Sequence, residues 1–245
     1  MHEEGLTARK IAEFDTRIFD QYRAWEANFD WDPINDPRRY LRKGDDTYLI
    51  YLPVNEQRRQ GFGVLTKNYT NEINFLWCSI LKEPLEYIAS LTGIDNPVIM
   101  QADIARMRPQ NGDTLLHTDT RILQRYSRRY NIAVSTNNNC WLYHSGYDLN
   151  NGAIRDHINE GEVWELNNKI PHTAVNYGDT WRTHFIIDVM PQHYAERMCE
   201  LYNPYDKVPN VLGRNDTYDL DEHGNLIDEP LFTDLPHCFP ARTHI

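Results

Sequence analysis

The chain predicts a mainly β fold with flanking helices: a double-stranded β-helix, the double-sheet jelly roll of the cupin kind. Three observations predict it. Eight short strand candidates follow one another from Val98 to Val189, at Val98–Met107, Thr114–Asp119, Tyr130–Ser135, Trp141–His144, Ala153–Ile158, Glu162–Leu166, His172–Asn176 and Trp181–Val189. Turn-forming clusters separate them, among them Asn111-Gly112-Asp113, Asn137-Asn138-Asn139, Asn150-Asn151-Gly152, Asn167-Asn168 and Gly178-Asp179. Helical spacing of apolar residues is confined to the stretches before and after this run.

The elements follow in chain order. Over Leu6–Phe29 the apolar residues Ile11, Phe14, Ile18, Phe19, Tyr22 and Trp25 recur every three or four positions, which predicts an amphipathic helix. Asp30–Lys43 carries Pro33 and Pro37 and reads as a loop, and Thr47–Val54 as a short strand. Asn71–Leu91 reads as a helix with Leu76, Ile80, Leu85, Ile88 and Leu91 inward and Gly93 as its stop. After the strands, Pro191–Tyr202 reads as a closing helix. The last 43 residues hold eight acids against three bases, so they carry −5 of the total −11. Their Tyr205, Tyr218, Leu231, Phe232 and Phe239 suit a segment that wraps the barrel. The expected organisation is a helical region at 1–95 packing on the barrel, a catalytic core at 96–202, and an acidic extension at 203–245.

Composition narrows the partners. The formal charge of −11 argues against a general nucleic-acid surface and against attraction to anionic membranes. No apolar run is long enough to span a bilayer. The opening residues lack the basic-then-apolar pattern of a secretory signal. Cys78, Cys140, Cys199 and Cys238 are too widely spaced for a zinc ribbon or redox pair and read as free thiols of a cytoplasmic protein.

The chemistry concentrates in His117-Thr118-Asp119, His172 and Arg182. Residues i and i+2 of a strand share a face, so His117 and Asp119 can reach one metal ion. His172 would join them from a strand folded back beside theirs. Two imidazoles and one carboxylate on one side of an ion form the facial triad of non-haem Fe(II) oxygenases. Each residue alone is an ordinary polar residue at a strand end or turn; their agreement makes the signal. Zinc suits the same ligands, but no His-Glu-x-x-His pattern supplies a base for a zinc-bound water, so iron is preferred. Arg182 is ten residues past His172, at a distance suited to clamping an acid bound to the iron. Strict alternation places it on the face opposite Phe185, Ile187 and Val189, which line the core, so a twist, a bulge or a change of layer would be needed to bring it inward.

The stretch from Ala105 to Pro191 resembles the aspartyl/asparaginyl β-hydroxylase-like family of Fe(II)/2-oxoglutarate dioxygenases. The resemblance is carried by Ala105-Arg-Met-Arg-Pro-Gln-Asn-Gly-Asp-Thr-Leu-Leu-His-Thr-Asp119 and Arg128-Arg-Tyr-Asn-Ile-Ala-Val-Ser-Thr-Asn137, then by Gly161-Glu-Val-Trp-Glu-Leu-Asn-Asn-Lys-Ile-Pro-His-Thr-Ala-Val-Asn176 and Asp179-Thr-Trp-Arg-Thr-His-Phe-Ile-Ile-Asp-Val189. It implies that His117, Asp119 and His172 hold the iron. It further implies that Arg182 pairs with the distal carboxylate of 2-oxoglutarate, a bidentate role suited to guanidinium. Arg129 would face the metal-proximal carboxylate of the cosubstrate or an acidic group of the substrate. Where family members often carry a histidine that contacts the cosubstrate, this chain has Asn131, which can donate a hydrogen bond but carries no charge.

The expected function is therefore hydroxylation of an unactivated carbon of an amino acid, free or in a peptide, using O2 and 2-oxoglutarate and releasing succinate and CO2. The alternative is a cupin-like protein that uses the metal to hold a ligand without turnover. Arg121, Arg125, Arg128 and Arg129 form a basic cluster that reads first as a solvated loop and second as a receiver of a substrate carboxylate or a lid. Trp164, Trp181, Tyr143 and His144 read as core and wall residues. His184 alternates with Arg182 and fits either the same pocket or the core.

Overall fold

A computed structural model describes residues 8–29, 40–42, 45–51, 75–110, 112–114, 116–117, 119, 127–144, 153–168 and 170–201. The strands are β1 (Ala8–Glu13), β2 (Tyr40–Arg42), β3 (Asp45–Tyr51), β4 (Pro97–Met107), β5 (Gly112–Asp113), β6 (Arg128–Ser135), β7 (Cys140–His144), β8 (Ile154–Asp156), β9 (Glu162–Leu166), β10 (His172–Asn176) and β11 (Arg182–Pro191). The helices are a 3₁₀ turn at Thr16–Phe19, α1 (Asp20–Glu26), a π-helical turn at Trp77–Leu81 that runs into α2 (Lys82–Ser90), and α3 (Gln192–Leu201).

The last eight strands pair as a nested set, β4 with β11, β5 with β10, β6 with β9 and β7 with β8, all antiparallel. Lateral pairing of β6 with β11 and of β7 with β10 closes them into two sheets. This is the wound-up long hairpin of a double-stranded β-helix. The larger sheet runs β1-β9-β6-β11-β4-β3-β2 and the smaller β5-β10-β7-β8.

Alternation divides the larger sheet into two faces. Its outer face presents Ala102, Ile104, Tyr130, Ile132, Val134, Val163, Phe185, Ile187 and Val189. They pack against Phe14, Phe19, Tyr22, Leu76, Trp77, Leu81, Leu85 and Ile88 of the helical layer. Phe185 anchors this contact, with ring centroids 5.0 Å from Phe19 and 4.7 Å from Tyr22. The principal apolar core is thus between helices and sheet. A smaller cluster of Ala133, Leu142, Ile158 and Leu166 fills one end of the space between the sheets.

Most predicted elements stand within a few residues of their expected bounds, and several require correction. Helical structure in the first segment begins only at Thr16; Ala8–Glu13 is a strand on the edge of β9. Its register shifts between Lys10 and Ala12, so Ile11 and Ala12 both pack toward the core and the two-residue alternation of a strand is hidden. The expected strand at Thr114–Asp119 is not a regular one. The ladder stops at Asp113 and continues as separate backbone bonds, Thr114 N to Ala174 O (3.0 Å), a reciprocal His117–His172 pair (3.0 and 2.9 Å) and Asp119 N to Asn168 O (2.8 Å). The Ala174 N–H is taken by the Thr114 hydroxyl at 2.8 Å instead of a carbonyl, which breaks the ladder.

Three residues of the expected loop, Tyr40–Arg42, form β2. Gly93 has the positive φ of +72° expected of a helix stop. Gly112 allows the β4–β5 turn to close: a Cβ there would stand 2.2 Å from Met107 Cγ and 2.6 Å from the Arg108 carbonyl. Cys78 and Cys140 are free thiols. Among the described residues, no helix is long and apolar enough to cross a membrane. The remainder of the expected loop, the end of the expected strand at 52–54, the start of the second helix at 71–74, Thr118, Arg121, Arg125, Lys169 and the acidic extension lie outside the described residues.

Candidate metal centre

His117, Asp119 and His172 come together at the inner edge of the smaller sheet. One ligand atom from each lies within 4.8 Å of the others, a spacing that a single ion could draw together. The backbone fixes this convergence. The reciprocal His117–His172 pair sets the two imidazoles side by side, with centroids 4.4 Å apart. The Asp119 N–H bond to Asn168 turns the carboxylate toward them, with Oδ1 3.7 Å from His117 Nε2 and Oδ2 3.9 Å from His172 Nε2.

The protonation states suit a metal. His172 Nδ1 lies 2.9 Å from the Ile170 carbonyl, which can only accept, so Nδ1 carries the proton and Nε2 offers its lone pair inward. Burial lowers the His172 pKa to about 4, against the attraction of Asp119 and with added repulsion from His117. The imidazole is therefore neutral at physiological pH. Burial acts to raise the Asp119 pKa, but Arg129, His172 and His117 hold it at about 2, so the carboxylate is charged. A neutral imidazole and an ionised carboxylate are the forms that bind a divalent cation.

Arg182 and His184 project from the inner face of β11, opposite to Phe185 and Ile187. The two faces are those that alternation requires, so no bulge is needed to orient Arg182. These polar groups occupy the inner face of the larger sheet and the principal core its outer one. Arg182 Nη2 donates to His184 Nδ1 at 2.7 Å. A guanidinium has no acceptor, so the His184 proton resides on Nε2. Burial, with the Arg182 charge beside it, drives the His184 pKa well below its ordinary value. Among the described residues His184 Nε2 has no hydrogen-bond partner, nor has the Asn131 amide nitrogen. Asn131 stands opposite Ile186 on the neighbouring β6, so both orphaned donors belong to one patch. A buried donor without an acceptor costs about 1–3 kcal/mol, and an anionic ligand would satisfy both.

Arg129 is also on this inner face. Its Nε and Nη2 bond Asp188 at 2.9 and 2.7 Å, and its Nη1 bonds Asp119. Burial opposes the Arg129 charge, but Asp119 and Asp188 outweigh it and raise its pKa. Asp188 is a site residue that sequence reasoning missed, although it shares the parity of Arg182 and His184 in an otherwise apolar strand. His144 is also inside the barrel, directly across from His172, with Nε2 2.6 Å from Asp156. Of the basic cluster, Arg128 turns to the outer side, 3.7 Å from Glu165. Trp181 is on the exterior under the Arg106 guanidinium.

No protein-family model and no curated protein matches this sequence. Several solved structures resemble it in fold at low identity. An oxidoreductase of the 2OG-Fe(II) oxygenase family from Burkholderia pseudomallei is 12% identical, with 76% of this chain and 85% of that one covered and a TM-score of 0.48. A Pseudomonas putida prolyl-4-hydroxylase is 14% identical, with 77% and 94% covered and a TM-score of 0.43. HygX from Streptomyces hygroscopicus, solved with nickel and 2-oxoglutarate bound, is 10% identical, with 76% and 83% covered and a TM-score of 0.43.

Proposed function

We propose that the chain is an Fe(II)- and 2-oxoglutarate-dependent dioxygenase that hydroxylates an unactivated carbon of an amino acid, free or in a peptide. The observation that carries the reading is the pairing of two features inside one barrel. One is a His-Asp-His cluster in which His172 is neutral and Asp119 is ionised, the forms that bind a metal. The other is a buried patch of donors at Arg182, His184 and Asn131. The first fits a divalent ion through His117 Nε2, one Asp119 oxygen and His172 Nε2. The second fits the distal carboxylate of a dicarboxylic acid, with Arg182 supplying charge and His184 and Asn131 neutral hydrogen bonds. A 2-oxoglutarate-dependent enzyme needs both features, whereas metal binding alone needs only the first.

Iron, when bound, supplies the oxygen chemistry, coupled to conversion of 2-oxoglutarate to succinate and CO2. The protein's own share is binding and orientation. The Ile170 carbonyl keeps His172 in its metal-binding tautomer. His184 braces the Arg182 fork. The amino-acid substrate follows from the resemblance carried by residues 105–191.

Anaerobic titration of the chain with Fe(II) and then 2-oxoglutarate tests the reading through the weak visible charge-transfer band of the ternary complex. A panel of amino acids and peptides, scored by succinate release, then identifies the substrate. Metal binding without either the band or 2-oxoglutarate-dependent oxygen uptake would transfer the chain to the ligand-holding alternative.

A further inference from the structure

We infer that Arg129 is a positioning residue for the metal carboxylate, and that Asp188 governs metal affinity through it without touching the metal. The inference rests on the metal centre proposed above and goes beyond it. It also differs from the cosubstrate-facing role that the family resemblance implies for Arg129.

All three guanidinium nitrogens of Arg129 are engaged by carboxylates. Asp188, directly opposite on β11, takes Nε and Nη2 in a two-point fork. Asp119 Oδ2 takes Nη1. The three residues are buried, with Arg129 7%, Asp119 9% and Asp188 1% exposed, so bulk water has little access to these bonds. Asp119 Oδ2 is occupied by Arg129, which leaves Oδ1, the oxygen nearer His117, to the metal. Asp119 would then hold the metal through Oδ1.

The charge arrangement explains why two carboxylates are needed. An ion bound to Asp119 draws on the same negative charge that Arg129 uses. With Asp188 present, Arg129 keeps its own counter-charge when the metal arrives. Without it, guanidinium and metal compete for one buried carboxylate, and the metal binds more weakly. Asp103 adds a third, weaker negative field at Arg129.

The experiment is a titration of the full chain with Co(II) alone, without 2-oxoglutarate, followed by the visible d–d spectrum. Asp188→Asn preserves shape and one acceptor but removes the charge. It should weaken Co(II) about 10-fold or more, the scale of outer-shell effects on metal affinity. Adding Arg129→Met to that variant removes the competitor and should return most of the lost affinity. A merely structural Asp188 predicts the opposite, a double variant that binds worse than Asp188→Asn. Arg129→Lys, which keeps the charge but loses the fork, should alter the Co(II) spectrum as Asp119 gains freedom to chelate through both oxygens. It also serves if the Asp188 variant does not fold. Parent-like Co(II) affinity in a folded Asp188→Asn, a double variant weaker than the single one, or a parent-like spectrum in Arg129→Lys overturns the inference. A parent chain that binds no Co(II) instead overturns the metal centre.

Discussion

The two faces of the larger sheet are built by the same strands and are equally buried, yet they are opposite in chemistry. On β11 the outward residues are Phe185, Ile187 and Val189, while the inward ones include Arg182, His184 and Asp188, and all six are buried. The outer face satisfies itself by packing. The inner face contains charges whose burial is tolerable only because they are paired or await a ligand. Stability and function are therefore separated by a single residue of register, and substitutions one position apart should fail in different ways.

The sharpest break is Asp119→Ala. Arg129 keeps Asp188, so the fold should survive in circular dichroism, while metal binding and succinate formation fall to background. Turnover at the parent rate would remove the barrel interior's claim to be the site. Next is Phe185→Ala on the outer face, which should cost about 3–5 kcal/mol of unfolding free energy. In urea titrations its midpoint should drop, with metal affinity per folded molecule unchanged. Arg182→Ala should do the reverse, weakening 2-oxoglutarate binding by about 1.5–3 kcal/mol, the scale of a charge-assisted hydrogen bond. Isothermal titration should show little change in metal affinity.

The outer face and the barrel interior should also differ in pH response, because among the described residues the suppressed imidazoles, His184 on β11 and His172 on β10 of the smaller sheet, are both inside the barrel. His172 and His184 take up protons near pH 6.5 in the unfolded chain and resist doing so when folded. The unfolded state then binds more protons, so metal-free stability should fall as pH drops from 7 toward 4, by up to about 1.4 kcal/mol per pH unit for each imidazole. His184→Asn should flatten that slope in urea midpoints measured across the range. The smallest effect is expected at the sheet edge. Arg9→Ala removes a β1–β9 ion pair whose arginine is 43% exposed, and should change stability by less than about 1 kcal/mol in the same assay.

Much of this architecture is legible from local pattern. Alternation and turn residues locate most strands of the barrel, although β5 falls at Gly112–Asp113 inside an expected turn, and His117, Asp119 and His172 stand out because their residue types and spacing suit one ion. The parity of Arg182 is also readable. It looks misplaced only if the apolar side of β11 is taken for the side of the site. Asp188 carries the same signal, an acid at even spacing from Arg182 and His184 in an apolar strand. The bulge at Ile11 hides β1, since Ile11 and Ala12 both turn to the core and imitate helical spacing.

What the sequence determined by itself is what is encoded within a few residues: the positions of most barrel strands, side-chain parity along β11, the candidate ligand types and the Gly93 stop. What only the tertiary structure decided is partnership across the chain. The nesting of β4 with β11 sets Arg182 in the barrel, and the pairing of β6 with β11 sets Arg129 against Asp188. The packing of the helices on the outer sheet face gives the inner face to the polar residues. The reason is physical: hydrophobic period and turn chemistry act over a few bonds, whereas a guanidinium's choice among distant carboxylates is settled only when the sheets close and exclude water.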